Sequence, residues 1–137
     1  MERPEVPTAR AIMTRKLITL RPEMPAVEAA ELLTSRSISG APVVDEEGQL
    51  VGLLSEFDCL QAVAAAEYAM DSHDAIETVG ELMTKAEDCH TVSPDLELFG
   101  LAHEFVRLRV RRFPVIEDHR LIGQVSRRDA LAAALKL

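Results

Sequence analysis

Apolar residues along the chain recur in two rhythms that alternate and then begin again. Leu17 to Leu20 is a short apolar run ending in a turn at Pro22, which reads as a brief strand. Val27, Ala30, Leu32 and Leu33 then recur at helical spacing, with Glu28 and Glu31 as ordinary solvated charges, so an amphipathic helix is predicted. Val43-Val44 and Leu50-Val51 flank Glu46-Glu47-Gly48, a hairpin signal in which glycine serves the turn. A second helix opens at Ser55 and runs into Ala-rich sequence. The order then returns. Cys89 to Val92 precede Pro94, and Leu98, Leu101, Ala102, Phe105 and Val106 follow at helical spacing. Pro114-Val115-Ile116 and Leu121-Ile122 surround Glu117-Asp118-His119, and a last helix starts at Ser126. The prediction is strand, helix, strand, strand, helix, twice over.

The repetition extends to residue identity. Ala11-Ile12-Met13-Thr14 resembles Gly80-Glu81-Leu82-Met83-Thr84, and Thr19-Leu20-Arg21-Pro22 resembles Thr91-Val92-Ser93-Pro94. Ala41-Pro42-Val43-Val44-Asp45 matches Phe113-Pro114-Val115-Ile116-Glu117. Leu50-Val51-Gly52-Leu53-Leu54-Ser55 with Asp58 matches Leu121-Ile122-Gly123-Gln124-Val125-Ser126 with Asp129. Four blocks in the same order are the mark of an internal duplication. The chain divides into a lead-in over 1–10, repeat 1 over 11–70, a linker over 71–78 and repeat 2 over 79–137. A repeat of this size buries only about 60% of its unfolded surface. Two repeats packed sheet to sheet, as one α/β unit with pseudo-two-fold symmetry, resolve that shortage.

The sharpest local signatures are Gly52-x-x-Ser55-x-x-Asp58 and Gly123-x-x-Ser126-x-x-Asp129. Serine three residues before an acid at a helix start is a capping arrangement. The same geometry suits a nucleotide. A helix N-terminus presents N–H groups to phosphate, a serine hydroxyl can donate to a phosphate oxygen, and an aspartate one turn on can accept from two ribose hydroxyls. The preceding glycine lets a ligand approach the backbone. Cap and binding site are compatible.

Composition narrows the class. The chain has 137 residues, is 47% hydrophobic and 4% aromatic, and has no Trp, so its core is aliphatic. Apolar stretches such as Ala62 to Ala66 are far short of a membrane span, and the N-terminus has no signal-peptide core. Net charge is -8, which opposes general nucleic-acid or anionic-membrane binding. Seven arginines nonetheless fall between Arg107 and Arg128 against Glu117 and Asp118. A basic cluster in an acidic chain fits a small anion site or a solvated basic face. Cys59 and Cys89 have no CxxC spacing and read as reduced, mostly buried thiols of a cytoplasmic protein.

With both repeats and their ordered motifs in view, the sequence resembles the CBS-domain family from about Ala11 to Leu131. The resemblance implies a two-repeat pair, or Bateman module, with two clefts for AMP, ADP or ATP, and NAD or S-adenosylmethionine as further ligands. It assigns Asp58 and Asp129 to ribose hydroxyls and Ser55 and Ser126 to ribose or phosphate. The segments around Thr19, Ala41-Pro42, Thr91 and Phe113-Pro114 would wall the adenine. Arg111 and Arg112, just before the second Pro block, stand where the family places phosphate-binding bases. Arg127 and Arg128 lie inside the second motif, where repeat 1 has Glu56-Phe57, so the Asp129 motif is the better anion site. A homodimer and an unidentified effector protein are the implied partners.

Other chemistry is weaker. No Ser/His/Asp order with a nucleophile elbow, P-loop or GxGxxG is present, so no catalytic residue is assigned and the protein is read as not an enzyme. His73 with Asp71 and Asp74 is the least implausible metal set, and it reads as a surface loop; no metal site is assigned. The methionines read as core. The function expected is an adenosine-nucleotide sensor acting through a partner or an oligomer change. The alternative is a dimerisation module with degenerate, ligand-free clefts.

Overall fold

The computed structural model describes residues 5–66 and 77–137. Most of the expected linker, with Asp71, His73 and Asp74, lies outside the described residues, as do the first four of the lead-in. In chain order the elements are α1 (Ala9–Ile12), α2 (Ala26–Ser35), β1 (Gly40–Val44), β2 (Leu50–Ser55), α3 (Glu56–Ala66) and α4 (Val79–Leu82). They continue with β3 (Thr84–Lys85), a 3₁₀ turn (Ala86–Asp88), α5 (Leu98–Leu108), β4 (Arg112–Glu117), β5 (Arg120–Ser126) and α6 (Arg127–Ala134). The class is mixed α/β with two tandem repeats, as expected. Among the described residues no helix is long and apolar enough to cross a membrane.

The chain gathers into two units, of which one is discontinuous in sequence. Unit 1 joins the opening of the chain, through Leu17, to His90–Leu137, and unit 2 is Ile18–Cys89. The opening segment of each repeat is therefore housed with the body of the other.

In unit 2, β1, β2 and β3 form an antiparallel sheet in that order. Alternation along β1 sends Ala41 and Val43 into a core with Leu20, Ala29, Leu33, Leu54 and Val79. The expected first strand contracts to a single parallel bridge between Leu20 and Val43. Its two hydrogen bonds run from Leu20 N–H to Pro42 O (2.9 Å) and from Val44 N–H to Leu20 O (2.9 Å). The hairpin turn is held by Asp45, whose Oδ1 accepts from the N–H groups of Glu47 and Gln49, both at 2.9 Å. Gly48 takes φ 80°, the left-handed conformation expected of it.

Unit 1 repeats the plan. β4 and β5 pair antiparallel, and Val92 forms the parallel bridge, to Val115. Phe113, Val115 and Val125 enter a core with Ala9, Met13, Leu98, Leu101 and Phe105, where the Phe105 and Phe113 rings stand 4.6 Å apart. Asp118 and His119, both at positive φ, close the hairpin, as a two-residue I′ turn requires. Both sheets carry an irregularity at the same place, between Val43 and Val44 and between Val115 and Ile116.

The exchanged segments act as straps across the motif glycines. Thr14 bridges Gln124 through bonds of 2.8 and 3.0 Å, and β3 joins β2 at Gly52 and Leu53. A Cβ on Gly123 would lie 2.5 Å from Met13 Sδ and 3.0 Å from Thr14 O; one on Gly52 would lie 2.5 Å from Met83 Sδ and 2.6 Å from Thr84 O. Within the fold, the close approach these glycines allow is that of the chain's own Met-Thr strap.

The helices depart from expectation in one respect. Val27, Ala102 and Val106 share the helical spacing of the core residues, yet all three side chains are exposed. Cys59 and Cys89 are free and half-buried rather than buried. Cys89 leaves the expected strand for the end of the 3₁₀ turn, with its Sγ 3.3 Å from Lys85 O.

Candidate functional site

Each Ser-x-x-Asp motif folds as a reciprocal capping box. The Ser126 hydroxyl accepts from Asp129 N–H at 3.0 Å, while Asp129 Oδ2 accepts from Ser126 N–H at 3.0 Å. In unit 2, Ser55 and Asp58 make the same pair of bonds at 3.1 and 2.9 Å. Two backbone donors at each helix start are satisfied in this way. In each box the serine N–H donates to Oδ2 of the aspartate, and the aspartate N–H donates back to the serine hydroxyl. All four side chains are partly exposed.

The flanking strand sets the neighbourhood. Arg112 pairs with Ser126 across the β4–β5 ladder, so both side chains lie on the sheet face opposite Phe113 and Val115. Gly40 stands across from Ser55 in the same register. The preceding residue also corresponds: Arg111 O accepts from Arg127 N–H (3.0 Å), and Ser39 O accepts from Glu56 N–H (2.8 Å). The two half-sites share one backbone and differ in charge.

The four arginines have separate positions. Arg111 and Arg128 are exposed, and Arg112 is half-buried. The guanidinium of Arg127 donates to Val110 O (2.6 Å) and to Arg109 O, holding the turn after α5 where Arg109 adopts φ 55°. Two of its five N–H donors are spent there. The carboxylate of Asp129 borders an opening of about 500 Å³ in unit 1, lined also by Ala11, Ile12, Ala132 and Lys136. This is within the size range of small-molecule sites. No motif flagged Ala132 or Lys136, and Ala11 and Ile12 were marked only as part of the repeat, not of a site; only the strap brings α1 beside α6.

Thr19 and Thr91 are exposed at the ends of the parallel bridges, and Ala41, Pro42, Phe113 and Pro114 are buried on the paired strands. Unit 2 thus assembles Thr19, Ala41, Pro42, Ser55 and Asp58. Unit 1 assembles Thr91, Arg111, Arg112, Phe113, Pro114, Ser126, Arg127, Arg128 and Asp129. The Phe113 ring is 1% exposed within the unit 1 core, so what it offers a ligand is backbone.

Titration is perturbed elsewhere. The hydrogen bond from Arg10 pulls the Glu117 carboxyl below its ordinary range, and Arg10 rises in return. Burial raises both thiols, with a further push from Asp58 on Cys59 and from Asp88 on Cys89. Among the described residues, no group of three His, Cys, Asp or Glu side chains is placed to hold a metal ion.

Comparison with known proteins places this geometry. The model of the CBS domain matches residues 9–65 and 79–136. The uncharacterized protein MJ1225 of Methanocaldococcus jannaschii is 32% identical over 120 residues, 88% of this chain and 40% of that protein. The chain thus spans about two fifths of that relative's length. Among solved structures, CBSX2 in complex with AMP, a protein of Arabidopsis thaliana, superposes with a TM-score of 0.81 at 30% identity, covering 95% of this chain and 97% of that one. The CBS domain pair of protein MJ0100, in complex with 5-methylthioadenosine and S-adenosyl-L-methionine, gives 0.74 at 25% identity, with 96% and 98% covered.

Proposed function

Because this chain belongs to the CBS-domain family, we propose that it is a regulatory module that binds an adenosine-type nucleotide and acts through a partner protein or a change of oligomer. AMP, ADP and ATP are the first ligands to test, with NAD and S-adenosylmethionine after them. The module is read as non-catalytic and homodimeric.

The observation that carries the reading is the pair of matching half-sites. In each, a serine and an aspartate are held at a helix start by mutual bonds, and the aspartate side chain is partly exposed to a ligand hydroxyl. That is a preorganised acceptor for ribose beside backbone donors suited to phosphate. CBSX2 with AMP and MJ0100 with two adenosine derivatives support the ligand class. The Asp129 half-site is read as the better anion site, since its repeat has Arg111, Arg112 and Arg128 at the positions where the other has Ser39, Gly40 and Phe57.

Thermal unfolding with each nucleotide tests the reading, for wild type, Asp129→Ala and Asp58→Ala. A ligand at about 100 times its Kd stabilises by about 2.7 kcal/mol. A shift lost in Asp129→Ala supports the assignment, and one lost only in Asp58→Ala moves the site to the other repeat. A second reading, a dimerisation module without ligand, draws on the apolar helix faces left exposed; no shift with any nucleotide would favour it.

A further inference from the structure

The strap of unit 1, residues 7–14, contains the single helical turn α1, which is too short to hold its own shape in water. Its place depends on what ties it down. Ala9 N–H donates to Leu96 O (2.8 Å) and Arg10 N–H to Pro94 O (3.0 Å), and beyond the turn Thr14 and Gln124 exchange their two bonds. Ala9 and Met13 anchor the inner side in the unit 1 core. The outer side is tied by charge. Both terminal nitrogens of Arg10 donate to Glu117, one to each carboxylate oxygen, and Nη2 also lies 4.0 Å from Asp95. Glu117 ends β4, with Arg120 opposite it in the ladder and Arg15, next to Thr14, adding to the positive field around it.

The strap of unit 2 has the same backbone ties without this clasp. Gly80, the counterpart of Arg10, donates its N–H to Pro22 O (2.8 Å) but has no side chain to pair, and a Cβ there would lie 3.1 Å from the same carbonyl oxygen. Asp45, the counterpart of Glu117, is engaged by the N–H groups of Glu47 and Gln49. The asymmetry matters because the unit 1 strap is also a wall. Pro7, Ala11 and Ile12 line one side of the opening of about 500 Å³ that Asp129, Ala132 and Ala133 of α6 line on the other. A ligand seated there touches both sides, so it loses contacts whenever the strap lifts.

We propose that the strap is the element through which the unit 1 half-site reports occupancy: a ligand in the opening holds α1 down, and the Arg10–Glu117 latch sets how readily it lifts without ligand. This rests on the nucleotide reading above and adds the segment whose equilibrium the ligand biases. Arg10 and Glu117 are positioning residues, since neither lines the opening. Their side chains are 40% and 38% exposed, so the latch shifts local lifting by a few-fold rather than by orders of magnitude.

Amide hydrogen exchange of the full chain, read by NMR at Thr14 and Gln124, tests both halves of the proposal. These two amides bond across the strap and do not line the opening, so protection there reports lifting rather than shielding by ligand. Val92, bonded to Pro114 O in the same unit, is the control for general loosening. Without ligand, Arg10→Met and Glu117→Gln are each expected to speed exchange at Thr14 and Gln124 about threefold with Val92 unchanged. The variant carrying both should be no faster than either single, because one interaction is lost in all three. Neutral replacements avoid setting a new acid beside Asp95 or a new base beside Arg15 and Arg120. AMP at about ten times its calorimetric Kd should slow exchange at Thr14 and Gln124 of wild type about tenfold, the factor by which bound ligand outweighs free. The slowing should persist in Asp58→Ala and vanish in Asp129→Ala. Unchanged exchange in the singles, a double that multiplies their effects, or Val92 moving in step with the strap overturns the latch. AMP that binds without slowing Thr14 and Gln124, or a slowing lost in Asp58→Ala, overturns the coupling and leaves the nucleotide reading standing. Wild type that takes up none of AMP, ADP or ATP overturns that reading and the coupling together.

Discussion

Replacing Gly123 by alanine tests whether the strap, rather than a ligand, explains the motif glycine. In an unconstrained strand this change is mildly stabilising, by about 0.5–1 kcal/mol, because alanine has less chain entropy to lose. Here the new methyl would meet Met13 Sδ at 2.5 Å, Met13 Cγ at 2.9 Å and Thr14 O at 3.0 Å. Overpacking of that kind costs about 1–3 kcal/mol. If the strap lifts, its two bonds to Gln124 go as well, at about 1 kcal/mol each. The net expectation for Gly123→Ala is a loss of about 1–2 kcal/mol. For Gly52→Ala it is larger, about 2–3 kcal/mol, because one close atom there is the Thr84 carbonyl at 2.6 Å, which cannot rotate aside as a thioether can. Urea unfolding followed by circular dichroism, with a second probe to check that the units melt together, gives both values. The cause is isolated by adding Met13→Ala, which itself costs about 2–3 kcal/mol for a side chain only 8% exposed. In that background Gly123→Ala should cost at least about 1 kcal/mol less than in wild type, since the methyl then fills vacated space. Additivity within about 0.5 kcal/mol, or a Gly123→Ala protein as stable as wild type, refutes the reasoning.

Ser126→Ala removes the acceptor for Asp129 N–H and should cost about 1 kcal/mol in thermal unfolding, whereas Ser126→Asp, which keeps an acceptor at the cap, should cost less. Because Asp129 belongs to the same box, Asp129→Ala lowers the baseline midpoint too, so nucleotide binding is read from the ligand-induced shift and not from the midpoint. The two thiols, held neutral by burial and neighbouring carboxylates, should be alkylated by iodoacetamide at pH 8 more slowly in the native protein than in urea; equal rates would contradict their placement. Glu117 has a lowered pKa in the fold, so its contribution is complete above the ordinary value of 4.5 and is lost as pH falls through the lowered one. The midpoint difference between wild type and Arg10→Met should therefore be present at pH 7 and close in acid, and a difference that grows in acid would reverse the sign.

Local signals were legible in the chain and long-range ones were not. Asp45 through Gly48 announced a hairpin because a turn needs a residue at positive φ, and Gly48 provides it at 80°. Ser55 and Ser126 announced helix starts because caps act over three residues. Leu17–Leu20 and Cys89–Val92 read as strands, yet apolar content cannot tell a ladder from a single parallel bridge. The exchange of opening segments was hidden because Met13 meets Gly123 across most of the chain, and hydrophobic period names the buried face without naming the sheet it covers. Val27, Ala102 and Val106 show the same limit: helical spacing marks an apolar stripe, and a stripe serves an own core or a partner alike. For the site, the Ser-x-x-Asp pairs were visible, while Ala11, Ile12, Ala132 and Lys136 became neighbours of Asp129 only through folding.

The two half-sites show where a duplicated unit is free to diverge. Capping distances agree within about 0.1 Å, and the backbone bonds from Glu56 and Arg127 to the preceding strand correspond one to one. The fold needs those atoms in both repeats, so they stay alike. The side chains of residues 56, 57, 127 and 128 are exposed and unconstrained by the cap, and there the repeats separate into Glu-Phe and Arg-Arg. Arg127 is then drawn off by the carbonyls of Arg109 and Val110, which leaves the exposed Arg111 and Arg128 as the charges that distinguish this repeat. A phosphate beside Asp58 faces Glu56 instead, a repulsion undiminished by any base of α2 or α3. Equal geometry with unequal charge means that a neutral adenosine should discriminate little between Asp58→Ala and Asp129→Ala, whereas added phosphates should progressively favour the Asp129 half-site. Titration of the two variants with adenosine, AMP and ATP reads that trend directly, and a preference independent of phosphate number would show that shape, not charge, distinguishes the repeats.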